Sequence, residues 1–218
     1  MREVFGKEVL ESDEEVLAPG HTALVVVDMQ NDFAHPQGYF SAHGIDVGSV
    51  FELGPRLAAF VEAARKSGPL VVWVQQTTLP DGRSDSPPWL AFKMRHGFDG
   101  QYTLEGSWGQ TIIEPLRPVP EEPVVRKFRS SAFVGTSLDS VLRANGIRSV
   151  VVCGCMTEGC VESTVRDAAF NDYYAGVVED LVASNTPAYH EASLLVMRSQ
   201  FRVLRSERLL AVWSREAA

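Results

Sequence analysis

Residues 147–174, IRSVVVCGCMTEGCVESTVRDAAFNDYY, change their period halfway along. A continuous apolar run from Val150 to Cys153 gives way to helical spacing near Cys160, which predicts a strand running directly into a helix. The passage between them, Gly154-Cys155-Met156-Thr157-Glu158-Gly159, has a glycine at each end and delivers Cys160 to the first turn of that helix. Unpaired N–H groups and the macrodipole at a helix N-terminus favour negative charge, so the spacing predicts a thiolate with a lowered pKa at Cys160. The other fate of a free cysteine is that of a small buried hydrophobe, and local context leaves both open. A nucleophilic thiol needs a base and a group that holds the geometry, and both must come from elsewhere in the chain.

Outward from this stretch, strands alternate with helices. The run 23–27 is apolar without alternation, as in a parallel strand covered on both faces, and it ends at Asp28. A helix over 50–66 carries Leu53, Leu57, Phe60, Val61 and Ala64 on one face and stops at Gly68-Pro69. Residues 70–75 and 124–127 read as the second and third strands. A helix over 138–145 starts at a cap at Thr136 or Ser137 and stops at Gly146. Beyond the central stretch come a strand over 176–179 leading to Asp180, a helix over 188–200 and a last strand over 202–204. The alternation predicts right-handed βαβ units and an α/β fold with a doubly wound, mostly parallel six-stranded sheet flanked by helices.

Between these elements, residues 35–48 read as a loop that covers the site. The longer segment 77–108 reads as a lid or binding loop. Its aromatic residues Trp89, Phe92, Phe98, Tyr102 and Trp108 either line an apolar pocket or anchor the loop.

Composition narrows the class. With 218 residues and a 45% hydrophobic fraction, the chain reads as one domain over 21–218 preceded by an acidic arm over 1–20 that ends at Pro19-Gly20. A net charge of −8 excludes nucleic acid or an anionic membrane as the main partner. The charges that interrupt the first twenty residues leave no signal peptide or membrane helix there, so the expected location is cytoplasmic. Three cysteines crowded into 153–160 make no disulfide framework, and their spacing lacks a fourth metal ligand nearby.

Asp28, Lys127 and Cys160 then stand at the carboxyl ends of three strands, which converge on one crevice in a doubly wound sheet. An isolated Asp28 would read as a turn or cap residue, but Asp32 is the more natural turn former, and Lys127 is followed by FRSSAF, which shelters it. Asp28 is suited to take the thiol proton and return it to a leaving nitrogen, while the Lys127 ammonium holds Asp28 and stabilises the sulfur.

The stretches DMQNDF (28–33), KFRSSAF (127–133) and GCMTEGCVESTVRDAAFNDY (154–173) resemble the three signatures of the isochorismatase-like cysteine hydrolases. The resemblance runs from Ala23 to the last strand and implies a Rossmann-like α/β hydrolase fold. It also implies an Asp28-Lys127-Cys160 triad that hydrolyses an amide through a thioacyl intermediate, and a cis peptide at Cys155-Met156 that turns the N–H groups of Met156 and Cys160 toward the oxyanion. Siderophore-type isochorismatases lack the cysteine, so Cys160 favours amide cleavage. Nicotinamidases carry an Asp-x-His metal site after strand two, where this chain reads QQTTLPDGRSDS (75–86), so the resemblance implies neither metal nor cofactor.

HPQGYF, GSWGQTII and CVESTVRD are similar to ureidoacrylate amidohydrolases, and Gln200, forty residues after Cys160, resembles the substrate-binding glutamine of biuret hydrolases. The residues expected to contact substrate are Phe33, Trp108, Gln200 and, for a carboxylate, Arg129. The expected activity is hydrolysis of a C–N bond in a small linear amide or ureido (N-carbamoyl) compound by a homo-oligomer, dimer or tetramer. The alternatives are nicotinamidase-like deamidation of an aromatic amide and a non-catalytic binding protein on the same fold.

Overall fold

The computed structural model describes residues 1–95 and 97–216. Six strands form one parallel sheet: β1 (Thr22–Val27), β2 (Leu70–Gln76), β3 (Val124–Lys127), β4 (Ser149–Cys155), β5 (Tyr174–Ala183) and β6 (Arg202–Leu204), in the order β3-β2-β1-β4-β5-β6. β1 and β4 are buried along their whole length. Their side chains alternate between two cores, Leu24, Val26, Val151 and Cys153 on one face and Ala23, Val25, Val27, Val150 and Val152 on the other. A strand with a core on each side has no polar face to alternate, which is why its sequence is a continuous apolar run.

The longer helices are α1 (Gly48–Ser67), α2 (Pro87–Lys93), α3 (Leu138–Ala144), α4 (Glu162–Phe170), α5 (Pro187–Arg198) and α6 (Ser206–Glu216). α1 and α6 close the first core with Leu53, Leu57 and Phe60 and with Leu209, Val212 and Trp213. α3, α4 and α5 close the second with Leu138, Leu142, Val165, Ala168, Leu194 and Met197. The winding direction reverses between β1 and β4, and in such sheets the crevice beyond the strand ends at the reversal is where ligands bind.

Three parts of the chain depart from the sequence reading. β5 does not stop at Glu179 but continues to Ala183, because its pairing with β4 shifts from Val152↔Val177 to Gly154↔Val182. Glu179, the last residue expected in the strand, accepts from Arg198 at 2.6 Å, and Asp180, the first of the extension, accepts from the Ser206 N–H and hydroxyl at 2.7 and 2.6 Å. Asp180 thereby holds the start of α6, a helix the sequence reading did not assign.

The arm over 1–20, read without secondary structure, is ordered and packs on its own domain. It folds as a hairpin of Arg2–Val4 with Lys7–Val9 and a helical turn, Asp13–Val16, closed by a Ser12/Glu15 capping box. Val16 and Leu17 lie in the first core, and the Trp213 indole N–H donates to the Leu17 carbonyl at 2.9 Å. The 77–108 segment, read as a loop, contains α2. Among the described residues, no helix is long and apolar enough to cross a membrane.

Candidate active site

The ends of β1, β3 and β4 bring three side chains together. Asp28 follows β1 with φ +53°, a left-handed conformation that only a few non-glycine residues adopt. Its N–H donates to Val74 O at 3.0 Å and its carbonyl accepts from the Gln30 N–H at 2.7 Å, so the neighbouring backbone holds this turn. β4 reaches the same point only because residue 154 is glycine. Gly154 has φ +111°, and a Cβ there would meet the Val27 carbonyl oxygen at 2.1 Å.

Lys127 ends β3 and is completely buried. Its Nζ lies 2.7 Å from Asp28 Oδ2 and donates to Gln76 Oε1 at 2.8 Å, Arg129 O at 3.0 Å and Cys160 Sγ at 3.3 Å. Asp28 Oδ1 accepts from the Gln76 N–H at 3.0 Å, whereas Oδ2 faces the ammonium as an ion pair and has no aligned donor. Gln30 completes the frame. Its side chain accepts from the Gln76 N–H at 2.8 Å and donates to the carbonyls of Gln76 and Gln110 at 2.9 and 2.7 Å. Sequence reasoning missed both glutamines. Gln76 is the polar end of β2, and Gln30 stands three residues beyond β1 within the DMQNDF stretch.

Cys160 lies in a π-wound turn, Thr157–Val161, in which the Val161 N–H reaches back to Met156 O at 3.2 Å, and the α-helical winding of α4 starts only at Glu162. This corrects the expected acidity. Burial pushes the Cys160 thiol up to about 12, against the pull of Lys127.

Burial likewise raises Asp28, opposed by Lys127. Burial works against the Lys127 charge, but the adjacent Asp28 and Cys160 carry it above the ordinary lysine range. Of the three cysteines only Cys160 keeps accessible surface; Cys153 and Cys155 are sealed in the core. The peptide bond between Cys155 and Met156 is cis.

The other residues expected at the site are spread out. Phe33 is buried edge-on against Phe40 and Tyr102, with centroids 5.0 and 5.6 Å away. Trp108 is half-exposed beside His35, and its carbonyl accepts from Asn31 Nδ2 at 3.0 Å. Arg129 sits next to the triad through its carbonyl, and its guanidinium reaches into the 77–108 segment, where Nη1 donates to Ser84 O at 3.1 Å.

Gln200 is misplaced by the sequence reading. α5 runs antiparallel to the strands and delivers it to their amino ends, where Oε1 accepts from Arg166 at 3.0 Å in a cleft with Tyr174 and Arg202. It stands at the opposite end of the strands from Cys160. Of the loop aromatics, Phe98 and Tyr102 join the first core, while Trp89 and Phe92 stack on each other at 4.7 Å. Among the described residues, no three His, Cys, Asp or Glu side chains gather as metal ligands.

Comparison with known proteins agrees with this geometry. Residues 22–208 match the isochorismatase domain family. The chain is 37% identical over 183 residues to the ureidoacrylate amidohydrolase RutB of Azorhizobium caulinodans, spanning 79% of this chain and 81% of that one. It is similar in structure to N-carbamoylsarcosine amidase from Thermoplasma acidophilum, with TM-score 0.67 and 32% identity over 85% of this chain and 96% of that one. A cysteine hydrolase from Pseudomonas syringae pv. phaseolicola superposes with TM-score 0.82 at 24% identity, over 98% and 100% of the two chains, and speaks for the fold alone. Fold, strand-end site and the match over 22–208 together place the chain in the isochorismatase family.

Proposed function

We propose that this protein hydrolyses the C–N bond of a small linear amide or ureido compound, with Cys160 as nucleophile, Asp28 as proton carrier and Lys127 as electrostatic support. The observation that carries the reading is the placing of one buried ammonium 2.7 Å from a carboxylate and 3.3 Å from an accessible thiol. Its relatives named as amidohydrolase and amidase support the same class.

The thiol starts protonated, so attack on the substrate carbonyl is coupled to transfer of its proton to Asp28, whose Oδ2 is unclaimed by any aligned donor. Lys127 stays charged throughout and offsets the negative charge as it moves from carboxylate to sulfur. The tetrahedral oxyanion is met by the N–H groups of Met156 and Cys160. Collapse expels the nitrogen, which takes the proton back from Asp28 and leaves a thioacyl enzyme. Water then attacks the thioester carbonyl and gives a proton to Asp28. The acid departs and that proton returns to the sulfur.

An ammonia-release assay over ureidoacrylate, biuret, N-carbamoyl amino acids and nicotinamide tests the proposal. Turnover of a linear ureido or amide compound that disappears in Cys160→Ala is the expected result. Turnover of nicotinamide alone, or activity retained without Cys160, would overturn it.

A further inference from the structure

More acceptors crowd the Lys127 ammonium than it can serve. An ammonium has three N–H bonds, yet four acceptors surround Nζ: Asp28 Oδ2 at 2.7 Å, Gln76 Oε1 at 2.8 Å, Arg129 O at 3.0 Å and Cys160 Sγ at 3.3 Å. Alignment decides among them. Gln76, Arg129 and Cys160 each lie where an N–H can point, whereas Asp28 Oδ2, though nearest, is buried without an aligned donor. The three N–H bonds are thereby taken, and Oδ2 meets the ammonium only as a neighbouring charge.

Of the three aligned acceptors one is backbone and one is the sulfur, which leaves Gln76 as the side chain that sets this division. It is buried directly beside Lys127 in the β2–β3 pairing. Its N–H donates to Asp28 Oδ1 at 3.0 Å and to Gln30 Oε1 at 2.8 Å, and its Nε2 donates to the Thr77 carbonyl at 3.3 Å. The bond to Thr77 fixes the amide with its oxygen toward Nζ. Turned over, the amide would set its own N–H donors against the ammonium.

We propose that Gln76 is a positioning residue: by holding one N–H of Lys127 it turns another toward Cys160 Sγ and keeps Asp28 Oδ2 open as the base. An N–H aimed at Oδ2 instead would stabilise the carboxylate, lower its pKa and weaken it as a base, and the sulfur would lose its donor. The inference rests on the hydrolytic reading above for what the open oxygen does, but the division of the N–H bonds is observable without turnover.

The kinetic test uses Gln76→Met, which removes the acceptor at similar volume, and Gln76→Glu, which keeps one. Both lose the Nε2 bond to Thr77, so an effect of loosened structure alone would be common to the two. With the compound that the ammonia-release assay finds to be turned over, Gln76→Met is expected to lower kcat about tenfold or more and to change KM less than about twofold. It is also expected to move the acidic limb of kcat/KM down by about one pH unit, the effect of one added hydrogen bond to a charged group. Gln76→Glu should leave that limb at or above its wild-type position, because an acceptor still holds the N–H and a second carboxylate repels the charge on Asp28. The other titratable groups that bear on Asp28 are Lys127, Cys160, Cys155 and Tyr102, and both variants retain them. A limb that stays in place in Gln76→Met, or that moves down equally in both variants, would overturn the proposal. Neutron diffraction from deuterium-exchanged wild-type crystals reads the division directly and needs neither variant to fold. Deuterons on Nζ aimed at Gln76 Oε1, Arg129 O and Cys160 Sγ support it, and a deuteron aimed at Asp28 Oδ2 removes it. If the deuterons lie as expected and no amide or ureido compound is turned over, it is the hydrolytic reading that fails.

Discussion

The molecule buries two lysine–aspartate pairs that are nearly alike in distance and burial. Lys127 meets Asp28 at 2.7 Å with side chains 0% and 1% exposed, and Lys93 meets Asp85 at 2.9 Å with 0% and 2%. Their third neighbours differ. The first ammonium has the Cys160 sulfur at 3.3 Å, whereas the second has the Thr78 hydroxyl at 3.0 Å and the Tyr102 ring at 4.7 Å. The first pair also ties together two strand ends, while the second closes a local span inside the 77–108 segment. On the proposed reading, a buried pair is a structural clamp by default and becomes chemical machinery when a nucleophile shares its charge.

The largest effect that tests this contrast is loss of the sulfur. Cys160→Ala is expected to lower kcat by about 10⁴-fold or more with little change in melting temperature. Turnover above about a hundredth of wild type would break the assignment of Cys160 as the shared nucleophile.

Next comes the same substitution made in each pair. Asp28→Asn should cost about 10²–10⁴-fold in kcat, because no base remains for the thiol. Asp85→Asn should instead cost stability, about 3–5 kcal/mol by denaturant unfolding, because it strands a buried ammonium. If Asp85→Asn slows turnover as much as Asp28→Asn while the protein stays folded, the two pairs are not different in kind.

The protonation states give a third, smaller effect. Asp28 must be ionised to act, and burial holds its carboxyl above the usual range, so kcat/KM should fall as pH drops through a limb lying above about 3.9. The Cys160 thiol, pushed up to about 12, should be alkylated by iodoacetamide at a rate that climbs steadily with pH through neutrality, faster than Cys153 or Cys155 and slowed by substrate. A plateau in that rate near neutral pH would show a resting thiolate. Smallest of all, Gln200→Ala at the far end of the strands should change KM by less than about twofold.

What the sequence made legible follows from burial. Runs such as 23–27 and 150–153 admit only strands with cores on both sides, and the three polar residues that end such runs or follow them, Asp28, Lys127 and Cys160, converge in space. β5 was cut short because Asp180 reads as the start of a loop, and only the register shift against β4 and the Ser206 contacts explain how a charge fits there. Gln30 and Gln76 were missed because an amide that both donates and accepts looks the same in a sequence whether it frames a site or faces water. Counting forty residues to Gln200 ignored the direction of α5. The acidity of Cys160 was misjudged because local sequence shows a helix start but not the burial that opposes it.

The strand order also sets a timetable. β1, the first strand of the sheet to be made, lies between β2 and β4, and its partner on one side is separated from it by most of the synthesised chain. At about 5–20 residues per second, on the order of 10 s passes between the emergence of Asp28 and that of Cys160. Long-range closures of this kind are also slow to form. A nascent chain therefore carries Asp28 and Lys127 before it carries Cys160. On the proposed reading the site is complete only once β4 pairs with β1, where Gly154 lets the two backbones touch.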